Sequence, residues 1–540
     1  MRTVLQSFVL LAVCAGCGGG ATRTETADAT TDPTTDAATP YGCPAGTTAT
    51  LGNLVPLPVA VTVDGGLFCL PATAAIEVDP PTPELLAVGQ YLAAHLRPAT
   101  GFALEVRGAT TPQPGNIRLT TVTEPGLGEE GYGLTVSAGG VTVSAAQPAG
   151  LMRGIQTLRQ LLPAAIEAAT PQPGPWPLAT GSVTDQPRFA WRGVMLDVAR
   201  HFFSVADVKH FIDEVAYYKI NRFHVHLTDD QGWRLAITSW PQLSAIGGST
   251  EVGGATGKFF YSQAEFADIV AYAAARYITV VPEMDMPGHS NAALASYAEL
   301  NCDHTATALY TGTNVGFSSL CIDASPTAQF VSDALGEVAA LTPGMWLHIG
   351  GDEAKSTSAA DYAAFMQTLQ PLVAASGKML IGWAEIAHTP LKAGAIVQHW
   401  NPYDTTSVQL AVQQHAKVIL SPANRAYLDM KYDGDTPLGL VWAGLVDEQQ
   451  AYAWDPATEL SGVGESDILG VEAALWTETI ATIADIEVMA FPRLAGLAEV
   501  GWSPAGSNDW ASYRLRIAAH GPRLTTKGVG FYRSTRIPWQ

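Results

Sequence analysis

Eight short, apolar, β-prone runs recur through the later part of the chain, ending at WRGVMLDVAR, INRFHVHLTDD, YITVVPEMDMPGH, MWLHIGGDE, MLIGWAE, AIVQHWN, KVILSPANRAYLD and GVEAALWTE. Helix-like segments separate several of them: SVADVKHFIDEVAYYK and SQAEFADIVAYAAARY, opened by Ser204 and Ser262 as N-caps, and ADYAAFMQTLQPLVAAS. Strands that are apolar throughout and alternate with helices belong to a parallel sheet covered on both faces. Eight such units are what a (β/α)8 TIM barrel requires, and an open doubly wound sheet, the alternative, does not need eight. The barrel is expected over 186–540, with DWASYRLRIAAHGPRLTTKG as a closing helix and VGFYRS as a strand-like tail.

A chain of 540 residues needs more than one domain. Residues 45–185 read as a small α+β domain. PELLAVGQYLAAHLRPATG and GLMRGIQTLRQLLPAA carry apolar residues at helical spacing, and GLTVSAGGVTVSAA alternates Leu134, Val136, Val141 and Val143 around a Gly-Gly turn. The Pro-rich ATPQPGPWPLATG marks the boundary.

Residues 1–17 have the form of a lipoprotein-type signal peptide, with Cys17 as the acylated residue, although Cys14 stands where Leu is usual. Residues 18–44, rich in Thr, Ala, Asp and Gly, are expected to form a flexible tether. The implied location is outside the cytoplasm, as a cell-envelope lipoprotein or free, with a lipid anchor as the only membrane contact. Four further cysteines in an exported chain default to disulfides, and local closure favours Cys43 with Cys69 and Cys302 with Cys321 among three connectivities. A net charge of -21 excludes a nucleic-acid partner, which would need a basic face.

Polar and aromatic residues finish the eight runs: Arg200, Asp229 and Asp230, Asp285 and His289, Asp352 and Glu353, Trp383 and Glu385, Trp400, Tyr427 and Asp429, Trp476 and Glu478. In a barrel these ends converge on one mouth, where this fold carries its chemistry. Asp352 and Glu353 follow two glycines, so the chain turns there and both carboxylates can reach the mouth. Proximity of like charges is expected to raise one pKa, leaving a protonated acid beside an ionised neighbour. The plainer alternative is that Asp352 caps a following helix and Glu353 is solvated. For Arg200 it is an ion pair with Asp197 or Asp230.

LDVARHFF, HLTDDQGWR, PEMDMPGH, HIGGDE, AYLDMKY and LWTET, in that order, resemble the motifs of the glycoside hydrolase family 20 β-N-acetylhexosaminidases, over about residues 50–540. The resemblance implies that Glu353 is the general acid and base, that Asp352 orients and polarises the 2-acetamido group, and that Tyr427 bonds its carbonyl. Arg200 and Glu478, helped by Asp429, would hold sugar hydroxyls. Trp383, Trp400 and Trp476 would wall the pocket, Trp442 and Asp230 would also touch substrate, and His289 and Asp285 would stand behind the acid site as its partners. The family implies exo-acting, retaining release of terminal N-acetylglucosamine or N-acetylgalactosamine, without a cofactor.

Adjacency fits that chemistry. A two-carboxylate retaining glycosidase needs its nucleophile about 5 Å from the acid, across the anomeric carbon, and sequence neighbours are badly placed for this. If the substrate's own acetamide oxygen attacks, forming an oxazolinium ion, the enzyme needs only an acid and an anion beside the amide N–H. Two rivals stand. One is a metal-dependent hydrolase using His224 and His226 of FHVHL with Asp229, Asp285 and His289. The other is a carbohydrate-binding protein without turnover.

Overall fold

The computed structural model describes residues 41–540, so the leader, Cys17 and residues 18–40 of the tether lie outside the described residues. Residues 41–44, assigned to the tether by composition, are fixed instead. Cys43 is disulfide-bonded to Cys69, the Tyr41 ring lies 6.2 Å from Phe68, and the Cys69 amide donates to the Tyr41 carbonyl at 3.0 Å. A cross-link pins a segment whose composition alone reads as loose. Cys302 is bonded to Cys321.

Strands β1 (Ala60–Cys69), β2 (Ile76–Asp79), β3 (Val106–Gly108), β4 (Ile117–Thr121), β5 (Tyr132–Ser137), β6 (Gly140–Ala145) and β7 (Pro177–Asp185) make a mixed sheet in the order β1-β7-β5-β6-β4-β2-β3. β5 and β6 are the expected hairpin. Leu134 pairs with Val143 and Val136 with Val141, so the alternation buries all four. Helices Pro83–Thr100 and Pro148–Leu161 bring Leu85, Val88, Leu92 and Leu96, and Leu151, Ile155 and Leu158, into the same core, as their spacing dictates.

The eight apolar runs supply β8 (Trp191–Asp197), β9 (Arg222–His226), β12 (Thr279–Glu283), β13 (Trp346–His348), β14 (Met379–Trp383), β15 (Ile396–His399), β16 (Lys417–Leu420) and β17 (Ile468–Leu475), which close in parallel as one barrel. The two-residue strands β10 (Thr228–Asp229) and β11 (Gly232–Trp233) form a small hairpin after β9. Ser204 and Ser262 cap their helices in reciprocal boxes with Asp207 and Glu265, and Ser358 caps Ala359–Ala375.

The barrel interior changes character along its axis. Trp191, Val281, Ile381, Ile396 and Ile419 fill one apolar layer. Beyond it lies a charged layer: His224 Nδ1 bonds Glu472 at 2.8 Å and its Nε2 lies 2.9 Å from Glu283, Glu283 also bonds His226 at 2.6 Å and accepts from the Trp383 indole at 2.9 Å, and His348 Nδ1, 3.0 Å from Glu283, accepts the Gly350 amide. Buried charges are tolerable only when paired and hydrogen-bonded in this way. Gly193 makes the room, since a Cβ there would lie 2.1 Å from Glu472 Oε2.

The sheet and the barrel share one compact unit. Asp185, fully buried at the end of β7, accepts from Tyr132 at 2.7 Å, Lys219 Nζ at 2.9 Å and the Trp502 indole at 2.9 Å. Glu130 joins Arg153 at 2.9 Å and Arg192 at 2.6 Å.

Two expectations at the C-terminus are corrected. The closing helix is two, Trp510–Ala518 and Gly521–Lys527, because Pro522 has no amide hydrogen to continue the first and sits in the opening turn of the second. VGFYRS is not a strand. Tyr532 stacks on Tyr432 at 4.1 Å and Phe531 packs 4.8 Å from Trp539, so ring contacts rather than a ladder fix the segment.

Candidate active site

β13 ends at His348, and the chain then leaves the barrel through Gly350 (φ 63°) and Gly351 (φ 95°), with Glu353 itself at φ 46°. A Cβ on residue 350 would lie 1.8 Å from Asp285 Oδ1, so only glycine fits. This turn answers why two carboxylates stand together there. The next helix begins at Ala359 under its own cap, Ser358, so Asp352 is not a helix cap. A non-glycine residue at positive φ stores strain, and such strain gathers at functional positions.

Both carboxylates line a cavity of about 270 Å³ at the barrel mouth, together with Arg200, His289, Trp400, Tyr427, Asp429, Trp442, Trp476 and Glu478. Tyr427 and Asp429 do not sit at a strand end as expected. β16 stops at Leu420, and a short helical turn, Ala423–Ala426, carries Tyr427 back to pair with Ala474 of β17.

Three expected site residues lie off the lining, Asp285 in the supporting place expected of it. Trp383 is fully buried, donating to Glu283, with its ring 5.8 Å from Trp476. Asp285 accepts the Gly351 amide at 3.0 Å and so holds the turn. Asp230 accepts from the Ser318 hydroxyl and from the Asn291 amide, holding the rim segment. A strand-end position in the sequence does not say which side a side chain leaves from.

The lining also includes Thr313, Val315 and Leu440, which sequence reasoning missed. Thr313 and Val315 sit in the insertion stapled by Cys302–Cys321, and that insertion was the only signal for them.

Buried polar atoms without a protein hydrogen-bond partner gather at this cavity: Arg200 Nε, His289 Nε2, Asp352 Oδ1, both Asp429 oxygens and Glu478 Oε2. Native interiors rarely leave such atoms unpaired, so their clustering marks a place for a ligand rich in donors and acceptors. Trp400, Trp442, Trp476 and Tyr427 supply flat apolar faces around them, Trp442 lying 5.9 Å from Trp400 and 5.8 Å from Tyr427.

Arg200 bridges Asp197 at 3.1 Å and Asp229 at 2.8 Å, and its guanidinium lies 4.8 Å from the Trp476 ring. The expected alternative partner Asp230 is not involved. His289, also at positive φ (49°), places Nδ1 3.3 Å from Asp229 and Nε2 3.7 Å from Asp352 and 3.9 Å from Glu353. Burial opposes charge on this ring, but Asp229, Asp352 and Asp285 overcome it and hold its pKa well above the usual range. Asp229 is held well below the carboxylate range: burial pushes it up, and Arg200 and His289 more than reverse that.

The upward push on a carboxyl falls on Asp352, and its first cause is burial, with Glu283 and Glu353 adding and His289 opposing. Asp285 behind it is raised further, by burial and then by Asp352. Both carboxyls of the Asp285–Asp352 pair are thus pushed toward the protonated form, whereas the expectation put the upward push on the acid and left its neighbour ionised. Burial and then Asp352 raise Glu385 to about 8, while the Trp400 indole donates to it at 3.1 Å. Burial followed by Glu478 raises Asp429. Glu353 Oε1 is 2.8 Å from Lys355 Nζ.

Of the rival metal set, His224 and His226 each bond a carboxylate of the barrel interior, and side-chain ligand atoms of Asp229, Asp285 and His289 lie within 4.8 Å of one another. Burial opposes charge on His224 and His226, yet Glu283 and the neighbouring carboxylates raise them to about 9 and about 10.

Two family models match the chain. "Glycosyl hydrolase family 20, catalytic domain" covers residues 189–505 and "Glycosyl hydrolase family 20, domain 2" covers residues 52–186. A β-N-acetylhexosaminidase from Cellulomonas fimi is 42% identical over 488 residues, 90% of this chain and 97% of that protein. The solved family 20 β-N-acetylhexosaminidase of Streptomyces coelicolor A3(2) superposes with a TM-score of 0.89 at 51% identity, over 92% of this chain and all of that one. The Streptomyces plicatus N-acetyl-β-hexosaminidase, solved in complex with Thio-NAglucal, gives 0.89 at 52% identity, over 91% of this chain and 99% of that one. With family models matched over both the barrel and the preceding sheet domain, the chain belongs to glycosyl hydrolase family 20.

Proposed function

We propose that this chain is an exo-acting, retaining β-N-acetylhexosaminidase that releases terminal N-acetylglucosamine or N-acetylgalactosamine with the substrate's own acetamide oxygen as nucleophile. The observation that carries the reading is Asp352 and Glu353 side by side in one small aromatic-walled pocket at the barrel mouth.

In the first step Glu353 gives its proton to the glycosidic oxygen as the bond to C1 breaks, and the acetamide oxygen forms a new bond to C1. Asp352 accepts the amide N–H, and Tyr427 donates to the acetamide oxygen. An N–H donor and a growing positive charge both favour the ionised form of Asp352, against the upward push of its burial. In the second step Glu353, now a carboxylate, takes a proton from water whose oxygen attacks C1. The oxazolinium ring reopens and the β-configuration is kept.

Arg200, Asp429 and Glu478 present unpaired polar atoms for sugar hydroxyls, while Trp400, Trp442 and Trp476 cover the ring and the acetamido methyl. Trp383 acts from behind Trp476. His289, charged and shared between Asp229 and the carboxylate pair, positions both.

The leader-like residues 1–17 and the two disulfides support action outside the cytoplasm, with Cys17 as a lipid attachment point. Aryl β-glycosides test the reaction: rapid turnover is expected with a 2-acetamido group and very little with a 2-hydroxyl, and NMR should show the β-anomer released first. Equal rates on the two sugars, or an α-anomer first, overturn the reading. Binding of N-acetylglucosamine without turnover would favour the carbohydrate-binding alternative.

A further inference from the structure

A second, larger cavity lies at the other end of the barrel. The beginnings of β9 and β12 and the loop 127–130 of the N-terminal domain enclose about 800 Å³, against about 270 Å³ at the catalytic mouth. Pockets of this size accept whole organic ligands. Its walls mix apolar side chains, Leu127, Phe189, Val270 and Ile278 among them, with polar ones that include the carboxylates of Glu129 and Glu130.

One cation on this lining has no counter-ion among the described residues. Arg222, the first residue of β9, stacks its guanidinium 4.7 Å from the Trp346 ring and 5.4 Å from the Trp191 ring. The other arginines nearby are paired: Arg153 and Arg192 with Glu130, and Arg188 with Asp455 and Glu465 at 2.8 Å each. Arg222 Nη1 donates to the Asn221 carbonyl at 2.8 Å, but its Nε is buried without an acceptor. The indole nitrogen of Trp346, on which it stacks, is likewise a buried donor without an acceptor. Burial pulls this guanidinium down to about 10, with Glu130 and then Glu129 opposing and Arg192 and Arg153 adding; neither carboxylate reaches ion-pair distance.

A largely buried cation without a partner, next to a second unanswered donor, calls for an anionic acceptor, and a planar carboxylate matches the guanidinium fork. The apolar part of the wall calls for a hydrophobic body on the same molecule. We propose that this cavity is a second binding site, for an organic carboxylate whose charged group meets Arg222 and whose apolar part lies among Leu127, Phe189, Val270 and Ile278. The site is independent of the catalytic reading.

Calorimetry and thermal melting with sodium benzoate, against sodium chloride at equal ionic strength, test it. Benzoate is expected to bind and raise Tm, and to do so equally when N-acetylglucosamine saturates the catalytic pocket. Arg222→Met should weaken benzoate at least tenfold. Ala149→Trp, which fills the cavity from the Pro148–Leu161 helix and leaves Arg222 in place, should do the same, so the test survives if the first variant folds poorly. Both should keep wild-type kcat on aryl N-acetylglucosaminides. The proposal is overturned if benzoate acts no differently from chloride, if N-acetylglucosamine displaces it, if neither variant weakens it, or if inorganic phosphate binds as well as benzoate.

Discussion

Asp352→Asn separates the charge of this side chain from its shape. Two unit charges about 4 Å apart attract by about 4 kcal/mol at an effective dielectric of about 20. Part of that field is already spent, because His289 Nε2 stands 3.7 Å from Asp352 before any substrate cation forms. A net loss of about 3 kcal/mol from the transition state remains, or about 150-fold in kcat. Stability should move the other way. The folded carboxyl is raised by burial, so the folded state keeps a proton at pH values where the unfolded chain has lost it, and wild-type stability falls as pH rises through that window. Asparagine does not titrate, so the variant should melt higher than wild type at neutral pH. The assay is kcat on an aryl N-acetylglucosaminide beside a melting curve of the same preparation. A near-native rate refutes the electrostatic role of Asp352, and a large loss of both rate and Tm refutes the account of its burial.

Glu353→Gln should lose most on substrates with poor leaving groups, since good ones need little protonation; equal losses across a leaving-group series would contradict the acid assignment. Gly350→Ala forces a Cβ 1.8 Å from Asp285 Oδ1 at φ 63°, and should lower Tm and cut kcat together because the turn that carries both carboxylates must move; an unchanged rate would show that the turn does not set their geometry. Glu385, held up to about 8, keeps its proton when folded at pH values where the unfolded chain releases it, so stability from this group falls between the ordinary carboxylate range and pH about 8. Glu385→Gln should flatten that fall in melting curves taken across the window, and an unaltered slope would remove the assignment.

The frame of this protein was legible because each level of the sequence agreed with the next. Apolar runs gave strands, Ser204 and Ser262 marked helix starts, and strand ends carried the polar groups that meet at the mouth. The charged layer inside the barrel was not legible. His224, Glu283, His348 and Glu472 each look like one polar residue in an apolar run, and only closure of the barrel makes them partners. The same limit explains Trp383 and Asp230, placed in the pocket by their position near strand ends yet turned inward or toward the rim. Leu440, from a loop that crosses the mouth, carried no local signal at all.

Two family models divide this chain near residue 187, as though it were two modules, but Asp185 denies that division. Its carboxylate is the shared anchor of a tyrosine from the sheet and of a lysine and a tryptophan from the barrel, all out of reach of water. Cutting there strands Lys219 against bare solvent or leaves it uncompensated, at about 3–5 kcal/mol for a broken buried pair. A shortened barrel is therefore a poor vehicle for engineering, and whatever the sheet domain contributes, the catalyst inherits its fate.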